Sequence, residues 1–102
     1  MIKFSIITVC LNAGDDLLYT VTKTLNQSYN NFEIIIKDGF STDGSVEKLP
    51  DNSRIRVVKK QDSGIYDAMN QATAEATGDY LIYMNAGDTF YADTTLEEIA
   101  GQ

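Results

Sequence analysis

Four short apolar runs alternate with stretches of helical periodicity, and this alternation limits the folds open to the chain more than any other feature. The first, second and fourth runs are β-branched or aromatic and nearly continuous, which is typical of strands buried on both faces. The third alternates charged and apolar residues, which predicts an edge strand. The runs are FSIITVC at Phe4–Cys10, FEIII at Phe32–Ile36, IRVV at Ile55–Val58 and YLIYM at Tyr80–Met84.

The stretches between these runs predict helices. Asp15–Ser28 has an apolar stripe with acidic residues in its first turn, and a second stripe extends from Ile65 to Ala76 before Gly78 stops it. A short helix is predicted over Asp43–Leu49 and another over Thr94–Ala100. The order β-α-β-α-β-α-β-α predicts an α/β fold, in which right-handed crossovers place helices over a mostly parallel sheet.

Length and charge narrow the class of protein. The 102 residues are enough for one domain with a core but not for two, so residues 1–102 are expected to form a single domain. The net charge is -7, with 15 acidic and 8 basic side chains, which argues against a nucleic-acid partner. The one basic cluster belongs to the exposed side of the third run, where charge discourages wrong pairing: Arg54, Arg56, Lys59 and Lys60.

Residue types that are absent exclude several chemistries. The sequence has no histidine, which removes Ser-His and Cys-His nucleophilic sites and histidine metal ligands. Cys10 is the only cysteine, so it forms no internal disulfide and fits a reducing compartment. No apolar run approaches the roughly 20 residues of a membrane span, and the first residues do not show the pattern of a signal peptide. A cytoplasmic location is expected, at the inner face of a membrane if parts outside this chain attach it.

A polar loop follows each of the four apolar runs. The loops are LNAGDD at 11–16, KDGFSTDGS at 37–45, QDSGIYDAMN at 61–70 and NAGD at 85–88. Because the carboxyl ends of parallel strands share one edge of a sheet, where ligands bind, a crevice is expected there. Acidic side chains repel a bare phosphate but suit a ribose diol, a ring N–H or a divalent cation that itself holds phosphate. These loops therefore favour a nucleotide presented with a metal ion.

Each polar residue of these loops also has a structural explanation. A Walker loop and a dinucleotide glycine fingerprint are both absent. The alternatives are a plain turn at Asp38-Gly39, helix caps at Asp43 and at Asp62 or Ser63, a helix-dipole interaction for Asp67 and a turn cap for Asp88.

Three segments together resemble the family 2 glycosyltransferases, inverting enzymes of the GT-A fold. The segments are SIITVCLNAG, IIIKDGFSTDGS and DSGIYDAMNQATAEATGDYLIYMNAGD, and the resemblance extends from about Phe4 to about Tyr91. It implies the nucleotide-sugar-binding half of a Rossmann-like three-layer α/β/α domain. The implied reaction transfers a sugar from a nucleotide-sugar donor, commonly a UDP-sugar, to a hydroxyl of a saccharide or lipid-linked acceptor, with inversion.

The resemblance also assigns roles in donor binding. Leu11, Asn12 and Asp38 would flank the base and ribose, with Asp38 accepting a hydrogen bond from the base. Leu11 stands where the family often has an aromatic residue, and Phe40 stands where glycine is frequent. Asp67 lies in the segment that closes over the nucleotide.

The NAGD loop stands where the family carries its Asp-x-Asp metal motif. Asn85 and Gly87 occupy the two usual aspartate positions, and both are assigned here to the donor site. Asp88 is the carboxylate that remains for Mg²⁺ or Mn²⁺, and a neutral Asn85 is a weaker ligand than aspartate.

The family's catalytic domain needs roughly twice this length, and its second half carries the acceptor site and the catalytic base. No catalytic residue is therefore assigned in this chain, which alone is expected to be inactive. Exposed strand edges would favour self-association. Two other functions stay open at this point: a non-catalytic receiver-like signalling module, and an inactive interaction fragment.

Overall fold

The computed structural model describes residues 1–101 and contains seven helices and strands. In chain order they are β1 (Phe4–Cys10), α1 (Asp15–Leu25), β2 (Phe32–Asp38), β3 (Ile55–Lys59), α2 (Ile65–Thr73), β4 (Tyr80–Tyr83) and α3 (Thr95–Ala100). The strands form one sheet in the order β3-β2-β1-β4, and every neighbouring pair is parallel. The predicted α/β architecture is confirmed.

Helices cover both faces of the sheet. Leu17 of α1 and Leu96 of α3 belong to one buried cluster with the even-numbered apolar residues of β1 and β2. Ala72 of α2 packs on the opposite face against Ile7 and Ile35. Successive strand side chains point to opposite faces, so the continuous apolar runs of β1 and β2 supply both cores. The result is the expected three-layer α/β/α arrangement.

The two outer strands differ from the central pair. β3 lies at one edge, as its alternating sequence predicted. The expectation that the fourth strand is buried on both faces is wrong, since Tyr80, Leu81 and Tyr83 are 55%, 39% and 47% exposed. β4 pairs only with β1 over the described residues, so its outer side has no neighbouring strand to cover it.

The predicted helix over residues 43–49 is also wrong. Residues 45–48 form turns, one of which is closed by a 3.1 Å hydrogen bond from Leu49 N to Val46 O. Gly44 takes φ 81°, so it is not itself a helical residue, and Pro50 stops any continuation. No helix among residues 1–101 has the length and apolarity that crossing a membrane requires.

A tight polar junction fixes the start of β4 against β1. Gly78 N donates a 2.8 Å hydrogen bond to Ser5 Oγ, and Ser5 Oγ donates to Glu33 at 2.6 Å. Burial alone would raise the pKa of Glu33, but the hydrogen bonds from Ser5 and Thr77 lower it below the ordinary value. A Cβ at position 78 would lie 2.6 Å from Ser5 Oγ, 2.7 Å from Ser5 N and 2.9 Å from Lys3 O. Only glycine fits this junction.

We expect Gly78→Ala to lower the free energy of unfolding by about 1–3 kcal/mol, because the added methyl group meets backbone atoms that cannot rotate away. Urea denaturation followed by circular dichroism measures the change. Gly101→Ala is the matched control, since its Cβ would make only ordinary contacts, the nearest at 3.5 Å. Equal midpoints for wild type and Gly78→Ala would contradict the steric argument.

Candidate functional site

The carboxyl ends of β1, β2 and β3 and the start of α2 enclose a cleft of about 350 Å³. This volume lies within the range of small-molecule sites, and the location is where open parallel sheets bind ligands. The predicted crevice is therefore present in the structure. Its apolar lining includes Val9, Leu11, Ile65 and Ala68, and its polar side chains are Gln61 and Asp62.

The loop after β1 is bonded to the loop after β2. Asn12 N donates to Ser41 Oγ at 2.8 Å, and Asn12 Oδ1 accepts from Thr42 N at 2.8 Å. Asn12 takes φ 51°, a left-handed conformation that asparagine tolerates better than most residues. Gly14 N adds a 2.9 Å bond to Asp43 Oδ2. Asn12 thus joins the two loops, while Leu11 beside it is exposed and lines the cleft.

Asp38 is fully buried at the end of β2. Its carboxylate accepts hydrogen bonds from Ser41 N at 3.1 Å and from Ser41 Oγ, and the Cys10 thiol lies 3.7 Å from Oδ1. Asp38 does not line the cleft. In this structure it shapes the loop after β2, and its contact with a base stays a prediction.

The thiol beside it is not a nucleophile. Burial, and then the negative charge of Asp38, raise the pKa of Cys10 to about 12, so the thiol stays protonated near neutral pH. Cys10 is a free cysteine, buried in the core beneath the cleft.

Phe40 has a backbone conformation that glycine adopts more readily than a bulky residue. It takes φ 68°, in the left-handed region where a bulky residue is an outlier. Gly39 before it lines the cleft, and a Cβ there would make only ordinary contacts, 3.6 Å from Asp62 Oδ2 and 3.7 Å from Leu11 Cδ1. The space next to Gly39 is therefore part of the cleft.

A buried lysine holds the loop after β3, and sequence reasoning missed it. Lys37 Nζ, fully buried in β2, donates to Asp62 Oδ2 at 2.9 Å and to Lys60 O at 2.5 Å. The hydrogen bond from Lys37 lowers the pKa of Asp62, which stays ionised. The available signal was a lysine inside the apolar run IIIKD, since a buried ammonium needs a partner.

One sequence-based alternative was that the side chain of Asp62 caps α2. The structure shows no such cap. The N-cap residue is Gly64, without a side-chain cap. Asp67 Oδ2 instead accepts from Ser63 N at 2.9 Å and from Gln71 Nε2 at 3.2 Å. Asp67 thus closes the start of α2 and does not line the cleft, so its predicted role over the nucleotide is untested.

The NAGD turn lies beside α1. Thr20 Oγ1 donates to Asp88 O at 2.8 Å and accepts from Gly87 N at 2.7 Å. Gly87 takes φ 99°, and a Cβ there would lie 3.3 Å from the carboxylate of Asp16. Backbone strain and crowding therefore both favour glycine at position 87, which corresponds by resemblance to the second aspartate of the Asp-x-Asp motif.

The side chains of Asn85 and Asp88 are exposed at this turn. Residues 1–101 contain no group of three or more Cys, Asp or Glu side chains arranged to hold a metal ion. Asp88 is the only carboxylate of the turn itself.

Comparison with known proteins shows that the chain is similar to glycosyltransferases. The model of the family described as glycosyl transferase family 2 matches residues 5–102. A PGL/p-HBAD biosynthesis glycosyltransferase of Mycobacterium bovis is 33% identical over 95% of this chain and 40% of its own length. TuaG of Bacillus subtilis, described as a putative teichuronic acid biosynthesis glycosyltransferase, is 36% identical over 87% of this chain and 37% of its own length. The chain spans about two fifths of the length of these relatives.

Solved structures share the fold. TarS 1-349 of S. aureus, in complex with UDP-GlcNAc, aligns with a TM-score of 0.84 and 22% identity over 97% of this chain and 30% of that 1-349 chain. The mannosyltransferase PcManGT of Pyrobaculum calidifontis, in complex with GDP-Man and Mn²⁺, aligns with a TM-score of 0.78 and 24% identity over 91% of this chain and 30% of its own. These neighbours confirm the Rossmann-like GT-A architecture.

The sequence match, the relatives and the shared fold agree, and they decide against a receiver-like signalling module. This chain belongs to glycosyl transferase family 2.

Proposed function

We propose that this chain binds the nucleotide-sugar donor, a UDP-sugar, of an inverting glycosyltransferase that transfers the sugar to a hydroxyl. The observation that carries the proposal is the cleft of about 350 Å³ at the carboxyl edge of a parallel sheet. Two structures of the same fold contain UDP-GlcNAc and GDP-Man, which supports a nucleotide-sugar ligand.

In this proposal, the cleft binds the base and ribose of the donor, and the NAGD turn binds the part beyond the ribose. The apolar walls around Leu11 and Ala68 suit a flat base, and the loop joined by Asn12 suits the ribose. Asn85 and Gly87 would approach the donor beyond the ribose. Asp88 would hold a divalent ion, Mg²⁺ or Mn²⁺, which neutralises charge on the departing diphosphate.

The acceptor and the catalytic base are proposed to lie outside residues 1–102. The chain covers about two fifths of its relatives, so most of each relative has no counterpart here. One relative, WfaP of Escherichia coli, is named for transfer from UDP-Glc to a GlcNAc linked to diphosphoundecaprenol. A lipid-linked saccharide is therefore the acceptor class we propose, with the reaction at the cytoplasmic face of a membrane. Residues 1–102 alone would bind donor without transferring sugar.

Filling the cleft tests the donor site. We expect wild type and Gly39→Ala to bind UDP by isothermal titration, because the methyl group fits, whereas Gly39→Leu loses at least about tenfold in affinity because its side chain enters the base site. Circular dichroism checks that both variants fold. Failure of the wild-type chain to bind any nucleoside diphosphate would contradict the proposed function.

Asp88→Asn tests the metal site. We expect Mn²⁺ to strengthen UDP binding by wild type and to do so much less for Asp88→Asn, because an amide oxygen is a weaker ligand than a carboxylate. Asp51→Asn, at an exposed position in the turn before β3, is the matched control and should keep the wild-type response. An equal gain from Mn²⁺ in all three proteins would place the ion elsewhere.

The open edge of β4 is proposed to drive self-association of this chain. Its outer backbone groups have no partner strand within residues 1–101, and Tyr80, Leu81 and Tyr83 add exposed apolar surface. Light scattering at micromolar concentration should show dimers or larger species, and Leu81→Lys should shift them toward monomer. Tyr66→Lys, at an exposed position on α2, should not. A wild-type chain that stays monomeric would overturn this proposal.

A further inference from the structure

We infer that Asp62 accepts a hydrogen bond from the ring N–H of the donor's nucleobase, and so selects bases that carry such a donor. The inference rests on the proposed function, because it names a contact within the same cleft. It assigns a specific ligand contact to a residue of the predicted crevice for which a helix cap was the structural alternative.

Asp62 has the position that this role requires. Its side chain is 20% exposed and lines the cleft beside Leu11 and Gly39. Lys37 Nζ donates to Oδ2 at 2.9 Å, and Gly64 N donates to Oδ1 at 3.1 Å. The two bonds fix the carboxylate from behind and still leave each oxygen a lone pair, since a carboxylate accepts about four hydrogen bonds.

Asp38 is the alternative acceptor, and its geometry is less favourable. The residue is fully buried and absent from the cleft lining, whereas Asp62 lines it. Its two oxygens already accept from the backbone and hydroxyl of Ser41. Because Asp38 is fully buried, a base could reach it only if the loop after β2 moved, whereas Asp62 is reached through the open cleft.

The charge of Asp62 sets what it can recognise. Lys37 keeps the side chain ionised, so it accepts hydrogen bonds and donates none. Val9, Leu11 and Ala68 give the cleft an apolar lining beside Asp62, where a ring can enter with its edge toward the carboxylate. Uracil presents N3–H on that edge and guanine presents N1–H, and either forms a charge-assisted hydrogen bond with the carboxylate.

A methyl group on the ring nitrogen removes that donor and tests the contact directly. Isothermal titration compares UDP with 3-methyl-UDP on wild type, Asp62→Ala and Asp38→Asn. If the chain prefers GDP, GDP and 1-methyl-GDP are compared instead. We expect methylation to weaken wild-type binding about ten- to a hundredfold, as for loss of one charge-assisted hydrogen bond. In Asp62→Ala the same methylation should change affinity by less than about threefold, whereas Asp38→Asn should keep the wild-type ratio.

Asp62→Ala leaves Lys37 buried without its partner and can unfold the chain. The double variant Lys37→Met/Asp62→Ala removes both charges and gives the same comparison in a folded protein. A methylation penalty that persists without Asp62, or that disappears in Asp38→Asn, would overturn the inference while leaving nucleotide binding intact. No binding of any nucleotide by wild type would instead be a failure of the proposed function.

Discussion

The pairing of β1 with β2 determines most of this structure. The strands are parallel and in register along their whole length, from Phe4 opposite Phe32 to Cys10 opposite Asp38. Because side chains alternate between faces, this register sends Asp38 toward the α1 face and Lys37 toward the α2 face. A slip of one residue would exchange the two charges and turn both apolar sets to the wrong layer.

The consecutive charged residues Lys37 and Asp38 hold two of the loops that form the cleft. Both Lys37 and Asp38 are fully buried, and each is bonded to a different loop. Asp38 shapes the loop after β2 through Ser41, while Lys37 holds the loop after β3 through Asp62. An unpaired buried charge is unfavourable, so the loops are ordered by the same interactions that allow the charges to be buried. The shape of the cleft thus depends on the end of one strand.

The NAGD turn shows the same dependence on its surroundings. Thr20 of α1 bonds both Gly87 and Asp88, and the Asp16 carboxylate occupies the space beside Gly87. The departure from an Asp-x-Asp pattern therefore matches a local packing constraint. With Asp88 as the carboxylate of the turn, charge neutralisation at a donor diphosphate would depend on one side chain and on the substrate's own oxygens.

The sequence by itself determined the fold class, the central strands, the sheet edge that carries the cleft and the family, because apolar periodicity and loop motifs are local signals. Tertiary structure decided what each polar residue does. Asp38 is buried and bonded to Ser41, and its contact with a base stays a prediction. Asp62, for which a helix cap was one interpretation, is paired with Lys37 in the cleft wall. The exposure of Tyr80 and Tyr83 likewise depends on which strand lies beside β4. These outcomes follow from contacts between residues distant in the chain, which no local pattern encodes.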